Sequence, residues 1–109
     1  MSESFQKDSS TEEIVSSIHR YSYEVFDLAK LLVAGSDPEP LKVQARKLQS
    51  VLPEFAALRG KVEEAYRPDL NLILSETRLD LGYVLAGGNI PSSMRLAHVI
   101  REQSAGGPK

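Results

Sequence analysis

Between Asp69 and Ala86, apolar residues fall on two opposite sides of a helical wheel. Leu70, Ile73, Leu74, Leu81, Val84 and Leu85 share one arc with Thr77 at its centre, and Leu72, Leu79 and Tyr83 cluster across from it. Asn71, Ser75, Arg78 and Gly82 occupy one flank between the stripes, Glu76 and Asp80 the other. A helix with two apolar stripes has to be covered on both sides, which rules out a simple one-faced surface helix. The same leucines also alternate, as Leu70/Leu72/Leu74 and Leu79/Leu81/Tyr83/Leu85, which is the period of a strand pair. Only Ile73, Thr77 and Val84 are β-branched, whereas leucine is a helix former, so a helix is expected over 69–86.

The rest of the chain carries helical seams of the ordinary kind. Ile14, Ile18, Tyr21, Val25, Leu28 and Leu32 step by 4, 3, 4, 3 and 4 residues, as in a long amphipathic helix or coiled coil. Ser10 and Glu13 form a capping box, Glu12 and Glu13 suit a first turn, and Gly35 followed by Pro38 and Pro40 ends the run, so helix 1 is expected over 11–34. Leu41, Ala45, Leu48, Leu52, Phe55, Val62 and Tyr66 continue the rhythm if Arg59 takes one slot. Pro53 interrupts the hydrogen bonding but not the phase, which predicts a kinked helix, or two nearly in line, over 38–66. Gly60 weakens its second part, and Arg67-Pro68 breaks it. Gly87-Gly88-Asn89 stops the third element; Pro91 suits a first helical position, Ser92 or Ser93 a cap, and Met94, Leu96, Ala97, Val99 and Ile100 a short apolar face ending near Gln103. The fold class is therefore all-α: a small bundle of four to five helices, with a long N-terminal helix paired as a hairpin on a Pro-kinked second one. Residues 11–103 form one domain between disordered tails at 1–10 and 104–109.

Chemistry is conspicuous by its absence. With 109 residues the chain has no cysteine, which excludes disulfides, thiolate metal sites and a cysteine nucleophile. His19 and His98 are isolated, and no P-loop, G-x-G-x-x-G, G-x-S-x-G or H-E-x-x-H pattern occurs. Glu76 and Asp80 share a helix face and could in principle grip a cation, but neighbouring residues supply no further ligands, so they read as a solvated polar flank. Tyr21, Tyr66 and Tyr83 lie on or beside seams and read as core or interface. We expect no enzyme activity, no cofactor and no metal. The longest apolar runs, such as Leu31–Ala34, have four residues, far too few for a membrane span, and no signal-peptide core occurs; the expected setting is soluble and intracellular, cytoplasm or nucleus.

Charge and surplus apolar surface point towards partners. Residues 1–40 carry a net charge of −5, residues 41–68 carry +3 and residues 69–109 are neutral, a layout that suits an antiparallel pairing of the first two helices. Val15, Phe26, Ala29 and Val33 form a strip beside the first seam, and Leu72, Leu79 and Tyr83 a second stripe on the third element. Two stripes on several short helices exceed what a lone bundle readily hides, and exposed apolar patches mark partner surfaces. The expected function is a helical protein–protein interaction module, a homo-oligomer or a subunit or adaptor of a larger helical assembly. Its interface residues would be Val15, Phe26, Val33, Leu72, Leu79 and Tyr83. The alternative is a helix-turn-helix-like DNA-binding protein that uses residues 87–103, with Arg95 from the second helix and Lys42, Arg46 and Lys47 against phosphates. A net charge of −2 weighs against nucleic acid.

Overall fold

A computed structural model describes the backbone of residues 2–89 and 93–106 and the side chains of 11–89 and 93–103. Four helices build it: α1 (Ser2–Val33), α2 (Pro38–Leu58), α3 (Arg67–Leu85) and α4 (Met94–Gly106), with short 3₁₀ turns at Arg59–Lys61 and Glu64–Tyr66. There is no strand among the described residues, so the doubly striped segment is a helix.

Helix ends follow local chemistry. The Asp37 carboxylate accepts the Glu39 N–H at 3.2 Å and caps α2, whose first turn holds proline where no N–H is needed. Helices α1 and α3 close in the same way. Ser36 N–H reaches the Leu31 carbonyl and Gly35 N–H that of Leu32, and Gly88 and Gly87 N–H reach Tyr83 and Val84 likewise. The residue after each cap, Gly35 at φ 100° and Gly87 at φ 67°, has the left-handed backbone that this double bond requires.

Three boundaries differ from expectation. Helix α1 starts at Ser2, not at Thr11: the first ten residues contain neither Pro nor Gly, and extending an existing helix adds one hydrogen bond per residue. Helix α4 likewise continues to Gly106. Helix α2 runs through Pro53 but stops at Leu58 instead of Tyr66, where Gly60 favours a tighter turn. The Arg67 side chain ties that connection down, donating to the Val62 and Gly60 carbonyls, both at 3.2 Å. Val62 is buried as its seam position required, whereas Tyr66 is exposed because the seam ends before it. Pro91 and Ser92 lie outside the described residues.

Helix α3 is the hub. Its arc (Leu70, Leu74, Thr77, Leu81 and Val84) is buried against α1 and α2, and α4 covers one flank. Ile18, Tyr21, Val25 and Ala29 of α1 and Leu41, Ala45, Leu48 and Leu52 of α2 complete the core. Helices α1 and α2 pair as the hairpin, joined by a four-residue turn. No ion pair joins the acidic α1 to the basic α2 among the described residues. Lys30 binds Asp27 and Lys42 binds Glu39, each within its own helix. Long side chains find partners one turn away more readily than across an interface.

What ties the hairpin is Tyr21. Its hydroxyl donates to the Leu48 carbonyl at 2.6 Å, and its ring stacks on Phe55 with centroids 4.4 Å apart. Burial pushes the phenol up to about 12 from 10.0, Arg78 opposing the rise and Glu24 adding to it. The unfolded chain therefore loses this proton near pH 10 while the folded one keeps it. Stability from this group is intact below pH 10 and falls by about 1.4 kcal/mol per pH unit between 10 and 12. Tyr21→Phe should cost about 1 kcal/mol at neutral pH, and the difference between the two chains should shrink and reverse above pH 10 in denaturant titrations followed by circular dichroism.

Candidate functional site

The flank of α3 that carries Glu76 and Asp80 is not solvated, contrary to the reading from sequence. Asp80 is 0% exposed. Its Oδ1 accepts the backbone N–H of Ser93 at 3.3 Å and its Oδ2 a guanidinium N–H of Arg95 at 3.0 Å. Glu76 Oε1 stands 3.6 Å from Arg95 Nε, a buried nitrogen without a hydrogen-bond partner, so it contributes as a counter-charge and not as an acceptor. From α1, the Phe26 ring lies 4.5 Å and the Tyr23 ring 6.0 Å from the guanidinium carbon. Both fall within the range of a cation–π contact. One arginine of α4 is thus held between two carboxylates and two aromatic rings, drawn from two other helices.

The reason lies in the start of α4. Ser93 caps it, its Oγ accepting the Leu96 N–H at 3.2 Å. In a capping box the third helical residue would be Glu or Gln and would return the favour to the cap's own N–H. Here that residue is Leu96, fully buried, so the cap N–H needs an outside acceptor. Asp80 supplies it from α3. Its negative charge also sits at the positive end of the α4 dipole.

Other expected site residues separate into two groups. Val15, Phe26, Val33 and Tyr83 are half-buried and pack against the core. Each packs partly inward and keeps part of its side chain accessible. Leu72 and Leu79 stay outside, 61% and 47% exposed, two turns apart on the outer face of α3. Of the basic set, Arg46 and Lys47 are exposed on α2, and Lys42 is half-buried with its Nζ 3.6 Å from Glu39. Arg95 is turned inward and does not join them. The helix-turn-helix geometry is absent too, because α4 runs in the same direction as α1 and α3. Arg95 lies level with Phe26 and Asp80, and further on Val99 and Gln103 border the same hollow as Lys30, Leu31 and Ala34. His19 is exposed, and His98 is exposed and 3.0 Å from Glu102.

No group of three or more His, Cys, Asp or Glu side chains among the described residues could hold a metal. No described helix is long and apolar enough to cross a membrane. The acidic pair already binds Arg95, so this constellation fastens a helix. No family model, curated protein or solved structure matches the chain.

A buried carboxylate that loses its cation is costly. Arg95→Met should destabilise the fold by about 3–5 kcal/mol, the range for breaking one partner out of a buried pair, and Asp80→Asn by less, since an amide oxygen still accepts the Ser93 N–H. Hydrogen exchange should show both losses concentrated in α4, with amides of the α1–α2 hairpin keeping their protection.

Proposed function

We propose that this chain is a non-enzymatic helical interaction module, a homo-oligomer or a small subunit or adaptor of a larger assembly, and that the outer face of α3 is its contact surface. The exposure of Leu72 and Leu79 on the hub helix carries this reading. Helix α3 buries one arc in the core and shows two leucines to water on the other side, although helix-favouring polar residues would serve an exposed face better. Burial of apolar area contributes roughly 25 cal/mol per Å². A stable contact needs about 800 Å² on each partner, so the leucines would form the centre of the patch and Ser75 and Glu76 beside them part of its rim.

Exchanging both leucines for glutamate tests the assignment. In Leu72→Glu/Leu79→Glu the mass measured by light scattering after size exclusion should fall, reaching that of a single chain at the low end of a concentration series, or retention of its partner subunit should be lost. Helicity and the thermal midpoint should stay within about 2–4 °C of the parent, as for surface substitutions of a few tenths of a kcal/mol. A parent chain that is monomeric at every concentration and retains no partner would overturn the reading. So would a double variant that unfolds, which would make the stripe part of the core.

A further inference from the structure

Helix α4 is held unevenly. Its N-terminal end has the specific contacts: the Ser93 N–H and the Arg95 guanidinium on Asp80, Phe26 against the cation, and Leu96, the fully buried side chain in 94–103. Beyond Leu96 the seat is loose. Val99 and Ile100 are only half-buried, and a hollow opens on each side of them. One lies between Val99 and Gln103 of α4 and Lys30, Leu31 and Ala34 of α1; the other borders Ile100, Leu32, Tyr83 and Gly88. An element fastened by one polar anchor and little apolar burial opens at lower free energy than the core it covers.

Ser93 is held at the level of Asp80, about 7 Å back along the α3 axis from Leu85. The eight-residue strap 86–93 would span up to about 26–29 Å drawn out, enough to carry α4 to a neighbouring copy.

An empty seat would present a carboxylate that is otherwise wholly desolvated, flanked by Glu76 and two aromatic rings. Its best occupant is a capped helix with a guanidinium two residues after the cap and an apolar residue after that. Ser93-Met94-Arg95-Leu96 of a second copy has this pattern in the right register. We propose that α4 exchanges between two copies of this chain, each filling the other's Asp80–Glu76–Phe26–Tyr23 seat. Every contact of α4 is kept in the exchange, so concentration sets the balance between closed monomer and exchanged dimer. This inference does not rest on the Leu72–Leu79 face. The two fail separately.

The absence of native cysteine gives a clean test, because introduced thiols are the only ones present. Ala34 of α1 and Gln103 of α4 border one hollow. Full-length chains carrying Ala34→Cys or Gln103→Cys, with distinguishable tags, are refolded together across a concentration series, oxidised and separated without reductant. Exchange predicts a disulfide-linked pair of unlike chains, in excess of the two like-chain pairs and rising with concentration. The pair should persist in the Leu72→Glu/Leu79→Glu background. The double variant Ala34→Cys/Gln103→Cys shows that the thiols can meet. If it closes only within single chains at every concentration, and the mixed single variants give unlike and like pairs in the random 2:1:1 ratio, the exchange is refuted. A double variant that forms no disulfide of either kind refutes it as well, since α4 would then not occupy the seat.

Discussion

Everything in this molecule leans on one side of α3. A single arc from Leu70 to Val84 meets α1 and α2, and its flank meets α4, so the hub helix has to serve three neighbours with about half of its circumference. Apolar burial supplies most of the driving force there, but it is nearly indifferent to direction and register. Leucine and isoleucine rows can slide by a turn at small cost. Something else has to choose the alignment.

Three buried polar ties do so, one each for the α1–α2, α1–α3 and α3–α4 pairings. Between α1 and α2, the Tyr21 hydroxyl meets the Leu48 carbonyl. Between α1 and α3, Thr77 Oγ1 lies 2.9 Å from Ser22 Oγ and 2.7 Å from the Ile73 carbonyl. A threonine hydroxyl has one proton, which goes to the carbonyl, so Ser22 donates to Thr77. Between α3 and α4, Asp80 takes the Ser93 N–H and the Arg95 guanidinium. Each tie is satisfied in one register and leaves a buried donor or acceptor orphaned in any other, at a cost of about 1–3 kcal/mol for each neutral group and more for the carboxylate. The ties thus act as alignment marks within a generic core.

The same logic explains why α4 stands apart. The hairpin and the hub share continuous apolar seams, whereas α4 contributes one fully buried side chain and a charged anchor. A buried ion pair is specific without being strongly stabilising, because its desolvation cost offsets much of the Coulomb attraction. Such a joint chooses its partner sharply and lets go readily. An element with those properties is suited to exchange, while the outer leucines of α3 answer to the separate physics of an unspecific apolar patch.

Much of this was legible in the residues. The 3/4 seams located the helices and the hairpin, Gly35 and Gly87 the two ends that need a left-handed residue, and the double stripe of 69–86 both the hub arc and the exposed leucines. These features are local: periodicity, caps and turn chemistry depend on residues a few positions apart. The fates of Asp80 and Arg95 were not local. Asp80 sits at the border of the buried arc beside Thr77, and Leu96 where a capping-box acid would stand left the Ser93 N–H without a local acceptor; together these were the available signal. Whether the acid met water or a helix depended on where the strap after Asn89 delivered α4, and on that helix running parallel to α3. The sequence alone therefore determined which segments are helical and which faces are apolar, since those follow from spacing along the chain. Only the tertiary structure decided which charges are buried and paired, because a carboxylate's environment is made by residues that the chain brings back from a distance.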